Sequence, residues 1–313
     1  MDPAFQDEPL PTFVGGFRSG STLLINLLGL HPKLTPWFET KCICEALRWM
    51  RVLENPDLEA FESRFVPAPM PEGFTTDAVH DAMLWHMRYT AGRMSGELAS
   101  GKADHERYPI GTDYVLYGLR EGEQALNRWR DRVKPDPSLP TVANATGRLI
   151  RELGDRQVGL AQGTCWINKT PEIPRFGREL RRSVGPCRII HLIRDGREVA
   201  LSGAQLGWAT VPEMAEWWKG MIELTREAAT EAPEDYLEVR FESLIDAPVA
   251  TLDQILAFLE RPAQAKGLWS EYQSSLGTKR NREPQPPARK LADHEEQAFD
   301  RIAGGLLREL GYK

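Results

Sequence analysis

Cysteine is scarce in this sequence: there are four among 313 residues, at positions Cys42, Cys44, Cys165 and Cys187. Four thiols in a chain this long do not make a disulfide framework. Cys42 and Cys44 are too close for an easy local bridge, and no second Cys/His pair stands nearby to complete a zinc site. The expectation is reduced, partly buried thiols. Long apolar runs are missing as well: no window reaches the ~18 apolar residues that a membrane-spanning helix needs. Met1 to Pro11 hold no basic patch followed by an apolar run, so the chain reads as cytoplasmic. Positive charge is not in excess either. The formal net charge is −6, which argues against a nucleic-acid binder with a broad basic face but leaves room for a local basic pocket around one small anion. Internal repeats and long low-complexity linkers are absent.

What is present is an ordinary globular composition, with 41% hydrophobic residues, enough for a sizeable core. Thr12 to Val14 is a short apolar run ending in Gly15-Gly16 and reads as a strand. Ser21 to Leu30 reads as a buried helix, stopped by His31-Pro32. Residues 41 to 130 carry mixed helical patterns, and Pro135 to Pro140 is a turn-rich break. Thr164 to Ile167 reads as a strand that leaves into a loop at Asn168. Cys187 to Ile193 and Tyr236 to Phe241 read as further strands, each followed by a helix, and His294 to Leu310 closes the chain as an amphipathic helix. Such alternation predicts an α/β protein with a central parallel sheet flanked by helices. The reading is a single domain over residues 1–313, with residues 45 to 160 as a mainly helical insert.

Strand, glycines, then helix is a layout that binds phosphate, because free N–H groups and the helix dipole meet an anion there. Gly15, four residues, Gly20 and then Ser21-Thr22 fit the P-loop spacing with one exception: Ser21 stands where that pattern has lysine. That lysine reaches the β/γ-phosphates of a nucleoside triphosphate, so its absence weakens an ATPase or kinase reading. Arg18 supplies a cation earlier in the turn. A tight strand–helix turn with no ligand remains the plain alternative. The second feature is His191-Leu192-Ile193-Arg194-Asp195-Gly196-Arg197, with Ser202 eight residues after Arg194. An arginine at a strand end and a hydroxyl on the next helix can clamp a terminal phosphate. A surface Arg–Asp pair at a helix cap is the alternative there.

Phe17-Arg18-Ser19-Gly20-Ser21-Thr22-Leu23-Leu24 resembles the 5′-phosphosulfate loop of sulfotransferases that use 3′-phosphoadenosine 5′-phosphosulfate (PAPS). That family's tyrosylprotein, carbohydrate and bacterial branches read Arg-Ser-Gly-Thr/Ser-Thr-Leu at this loop. The resemblance implies a P-loop-like sulfotransferase fold. It also implies that Arg18, Ser19, Gly20, Ser21 and Thr22 hold the 5′-phosphate and sulfuryl oxygens. Arg194 and Ser202 match the family's 3′-phosphate site. Lys279 and Arg280, with Arg282, Arg289 and Lys290, fall where members close a basic loop over that phosphate; this match is by position and charge only. Motifs matching the family spread from Arg18 to about Arg289.

Sulfuryl transfer requires a base for the acceptor hydroxyl and cations for the charge on the leaving phosphate. Local sequence leaves open whether Glu39, after the His-Pro stop, returns to the loop mouth. The resemblance implies that it does, since tyrosylprotein sulfotransferases carry a Glu-Thr-basic segment there with the glutamate as base. It places Lys41 near the acceptor. Lys169, in Asn168-Lys169-Thr170-Pro171, is the implied cation for the bridging oxygen, with Asn168 and Thr170 adding hydrogen bonds. His80, His86 and His105 are alternative bases of the kind that cytosolic sulfotransferases use, whereas His191 reads as core. No metal ion is called for, and the product would be 3′-phosphoadenosine 5′-phosphate (PAP). The acceptor is expected to be a hydroxyl-bearing small molecule, its pocket shaped by the aromatic-rich insert (Trp49, Trp85, Tyr89, Tyr108, Tyr114, Tyr117, Trp129) or those aromatics simply core. The competing readings are a P-loop-type small-molecule kinase and a non-catalytic nucleotide-binding protein.

Overall fold

A short apolar run folds as a parallel strand when helices cover both faces of the sheet. Five such runs do so here. The computed structural model describes residues 10–62, 73–99, 119–161, 165–261, 264–274 and 290–312. The strands are β1 (Thr12–Gly15), β2 (Leu34–Phe38), β3 (Cys165–Lys169), β4 (Arg188–Ile193) and β5 (Tyr236–Arg240). They lie in the order β2-β3-β1-β4-β5, all parallel. Alternate side chains of a strand point to opposite faces, and the core divides accordingly. Phe13, Trp37 and Trp166 join one apolar cluster; Val14, Phe38, Cys165 and Ile167 join another. Burying each of these large side chains stabilises the fold by roughly 1.5–3 kcal/mol.

The helices are α1 (Ser21–Gly29), α2 (Lys41–Glu54), the single turn α3 (Glu59–Glu62), α4 (Thr76–Ala99), α5 (Leu119–Val133), α6 (Leu139–Ala161), α7 (Gly177–Val184), α8 (Gly196–Gln205), α9 (Val211–Ala229), α10 (Phe241–Asp246), α11 (Pro248–Phe258), α12 (Ala265–Tyr272) and α13 (Asp293–Glu309). On the Phe13 face, α2, α4, α5 and α6 share one core with the strands. Helices α1, α11 and α12 cover the Val14 face. Helices α8, α9 and α13 gather around Ile193, Trp218 and Phe299.

One strand was not seen in the sequence and one boundary needs correcting. β2 was not legible, because Pro36 interrupts the run Leu-Thr-Pro-Trp-Phe. The structure accommodates that proline on an edge strand, where a missing N–H is tolerated. β3 does not end at Ile167. Its ladder continues through Asn168 and Lys169, which pair with Trp37 and Phe38 on one side and with Phe13 and Val14 on the other. All four cysteines are free and buried; burial pushes the Cys42 and Cys187 thiols up to about 12. Among the described residues, no helix is long and apolar enough to cross a membrane.

Candidate functional site

Parallel strands put all their carboxyl ends on one edge of the sheet, and an open α/β sheet binds ligands at that edge. β1 sits centrally, with β3 on one side and β4 on the other. The chain leaves β1 toward β2 and leaves β4 toward β5, so the strand order reverses between β1 and β4. The glycine loop follows β1 and Arg194 follows β4, on either side of that crevice.

The loop's path depends on two glycines. Gly16 has a φ of +148°, and a Cβ there would meet the Leu192 carbonyl oxygen at 2.2 Å. Gly20 caps α1 in the left-handed conformation, and its missing Cβ leaves room for the Phe241 ring. The opening N–H groups of a helix have no intrahelical partners, and here they begin at Ser21. The Ser21 hydroxyl turns back to the Gly16 carbonyl, 3.3 Å away, and the Ser19 hydroxyl to that of Phe17, 3.0 Å away. Both side chains therefore shape the loop, and an anion would meet its backbone. Thr22 is half-buried in the first turn of α1.

The arginines of the two motifs converge. Arg18, exposed at the loop tip, donates from Nε to Ser202 Oγ on α8 at 2.9 Å, and its guanidinium lies 5.3 Å from the Trp208 ring. Arg194 donates to Glu198, stands 4.6 Å above the Phe241 ring and reaches toward the Arg18 carbonyl. Arg197 is held by Asp195 at the cap of α8 and by Glu296, apart from this group.

At the far end of the same edge, Lys169 Nζ donates to Glu39 Oε1 at 3.2 Å. Lys169 is 2% exposed and Glu39 18%, so the carboxylate is the more accessible partner of the pair. The ammonium also lies 4.8 Å from the Phe38 ring. Glu39 has a φ of +44° and Arg18 one of +54°; only one other described non-glycine residue, Glu260, shares that region. Such backbone costs on the order of 1–3 kcal/mol each and persists where surroundings hold it. Lys41, half-buried, opens α2 immediately afterwards.

Other expectations divide. Asn168 and Thr170 are fully buried and hydrogen-bonded to Thr40 and to each other. His80 is buried against Asn127 and Asp81, and His86 against Glu45. His191 is core, as expected, and burial pushes it down to about 4. Trp49 and Trp129 are core, while Trp85 and Tyr89 stack on each other on α4 and are exposed. Lys279, Arg280, Arg282, Arg289, His105, Tyr108, Tyr114 and Tyr117 lie outside the described residues.

A buried ion network had no signal in the sequence. Glu62 on α3 pairs with Arg48, Arg51 and Arg175, all within 3.1 Å. Arg48 also binds Glu45 and Glu172, and Arg51 binds Glu179. Burial works to raise the Glu62 carboxyl, but Arg175, Arg48 and Arg51 outweigh it and hold it below the usual carboxylate range. The network ties α2, which starts beside Glu39, to Glu172, which follows Lys169 by three residues.

A glycine loop opening a helix, flanked by strand-end cations on a parallel sheet, defines an α/β protein with its ligand edge at the strand carboxyl ends. The chain belongs to the sulfotransferase family, whose model matches residues 11–265, and it is a transferase. Among solved structures, it is similar to the sulfotransferase domain of the Synechococcus PCC 7002 olefin synthase, at a TM-score of 0.52 and 17% identity over 98% of this chain and 96% of that one. It is also similar to a sulfotransferase from Mycobacterium avium (TM-score 0.49, 13% identity, 96% and 76% covered). The sulfotransferase domain of the curacin biosynthetic pathway matches at a TM-score of 0.49 and 15% identity, with 98% of each chain covered. At 17% identity the likeness to the olefin synthase domain is one of fold. No curated protein sequence matches the chain.

Proposed function

We propose that this chain moves a sulfuryl group from PAPS to the hydroxyl of a small-molecule acceptor, with Glu39 as the base. The observation that carries the reading is the Glu39–Lys169 ion pair at 3.2 Å on the strand edge that also bears the glycine loop. Glu39 takes the acceptor's hydroxyl proton as the acceptor oxygen bonds to sulfur. The bond between sulfur and the bridging oxygen breaks, and its electron pair stays with the phosphate of PAP. Lys169 and Arg18 offset that charge. The backbone from Ser19 to Thr22 holds the 5′-phosphate, and Arg194 with Ser202 holds the 3′-phosphate, a group that ATP lacks. The contact between Arg18 and Ser202 supports this reading, since it brings the two phosphate motifs together. The chemistry as written calls for no metal ion.

Thermal denaturation with added nucleotide tests the donor. PAP is expected to raise the melting temperature, and ATP with Mg²⁺ to do little. Equal stabilisation by both, or none from PAP, would contradict the proposal. Labelled PAPS offered with a panel of phenols, sugars and lipid alcohols then identifies the acceptor.

A further inference from the structure

Three buried side chains beside the ion pair close a hydrogen-bonded ring. Asn168 Nδ2 donates to Thr40 Oγ1 at 2.6 Å. The Thr40 and Thr170 hydroxyls lie 3.2 Å apart, and the Thr170 hydroxyl donates to Asn168 Oδ1, also at 3.2 Å. Since the amide N–H can only donate and its carbonyl only accept, the direction is fixed all round: Asn168 to Thr40, Thr40 to Thr170, Thr170 to Asn168. Thr170 Oγ1 accepts a further bond from the Thr40 backbone N–H at 2.9 Å. Asn168 and Thr170 are 0% exposed and Thr40 2%. A buried polar ring of this kind is rigid when fully satisfied, and breaking one member leaves the others unpaired.

The ring members flank the two charged residues. Glu39 precedes Thr40, and Lys169 lies between Asn168 and Thr170. The Glu39 N–H donates to the Lys169 carbonyl at 2.6 Å, so the backbones are joined as well. The same segment is fastened to the phosphate loop: the Thr170 N–H donates to the Val14 carbonyl, and the Gly16 N–H to the Pro171 carbonyl. Glu39 itself holds a left-handed backbone, which an L-residue keeps only where neighbours impose it.

We propose that the Asn168–Thr40–Thr170 ring is the positioning device of this site. It holds Glu39 in its left-handed turn against Lys169 and fixes that pair relative to the phosphate loop, so that base, cation and donor share one frame. Thr170 is its keystone, because its hydroxyl serves the ring and its backbone serves β1. The inference rests on the reading of Glu39 as base.

The test compares Thr170→Val, which keeps the shape and removes the hydroxyl, with Thr170→Ser, which restores it. A displaced base costs turnover and not donor binding, and a shift of about 1 Å is worth on the order of 100-fold. Thr170→Val is expected to lower kcat by about 10- to 100-fold, with the KM for PAPS and the affinity for PAP within about threefold of the parent. The acid limb of its kcat–pH profile, set by the base, is expected to shift, and Thr170→Ser to recover both. Thr40→Val and Thr40→Ser make the same comparison from the other side of the ring, should Thr170→Val not fold. A lowered melting temperature with parental kcat and an unmoved pH profile in Thr170→Val, or in the Thr40 pair, would overturn the inference. Parental turnover in Glu39→Gln is a different result: it would overturn the reading of Glu39 and leave the behaviour of the Thr170 pair to be read on its own.

Discussion

Glu39 and Lys169, 130 residues apart in the chain, meet 3.2 Å apart because β2 and β3 are neighbours in register. Phe38 pairs with Lys169, so the residue after the strand lands beside the lysine's side chain. In the proposed reaction, an acid and a cation on adjacent strand ends would supply sulfuryl transfer with both a proton acceptor and a counter-charge.

Replacing the cation tests half of that pair. Lys169→Met keeps most of the stem and removes the ammonium. It is expected to lower kcat by about 100-fold or more, in the range seen when one transition-state donor is deleted, while PAP affinity falls by less. Lys169→Arg is expected to recover part of the rate, since its charge returns in a different shape. Steady-state kinetics beside calorimetry with PAP separate the two effects. Equal losses in both quantities would make Lys169 a binding residue only.

Arg194 should behave in the opposite way. Its guanidinium lies over Phe241 beside the glycine loop. Loss of a charge-assisted phosphate contact is worth about 1.5–3 kcal/mol, so Arg194→Ala is expected to weaken PAP binding by about 10- to 100-fold. Adenosine 5′-phosphate, which lacks the 3′-phosphate, should bind parent and variant equally. Unchanged PAP affinity would unseat the 3′-phosphate assignment.

The strands that lead to Arg18, Lys169 and Arg194 were legible because each starts as a short apolar run before a turn signal, although β3 runs two residues further than its apolar run. β2 was not, since Pro36 belongs in a strand only at a sheet edge, and edge position is a property of the whole sheet. The candidate site residues were legible as types in motifs. Their pairing was not: Arg18 and Ser202 are 184 residues apart, and nothing local brings them together. The partners of Asn168 and Thr170 were not legible for the same reason. Their motif marks them as adding hydrogen bonds without naming a partner, and it is the continuing ladder of β3 and the arrival of Thr40 that bury and pair them. Glu62 carried no signal at all, because a carboxylate in a charged helical turn gives no sign of three arginines arriving from α2 and from the segment before α7.

That buried network makes a stability prediction. Glu62→Gln removes the carboxylate shared by Arg48, Arg51 and Arg175 and leaves buried charge uncompensated. Breaking one partner of such a network costs about 3–5 kcal/mol. Urea denaturation should show the midpoint falling with little change in slope. A loss below about 1 kcal/mol would mean that the arginines find other partners.

His191 predicts a pH dependence. It is buried within β4, with Tyr236 OH at 3.0 Å from Nδ1. Burial pushes it down to about 4 from an ordinary 6.5. Between those values the unfolded chain binds a proton that the folded chain refuses. Stability from this group is therefore present above pH 6.5 and is lost as the pH falls through about 4. The contribution is on the order of 3 kcal/mol. Denaturation curves between those limits should fall less steeply with acid for His191→Gln than for the parent. Parallel curves would assign the acid sensitivity to the carboxylates alone.

The Glu39→Gln variant puts the account to its most direct test. Glutamine keeps the size of the side chain and accepts a hydrogen bond from Lys169, but it is no base. Turnover with labelled PAPS and a competent acceptor, measured beside PAP affinity on the same preparation, is the decisive pair of numbers. The account predicts a fall in kcat of about 10²- to 10⁴-fold with PAP affinity within about twofold of the parent. Parental turnover in that variant, or loss of PAP binding in proportion to the loss of rate, would contradict it.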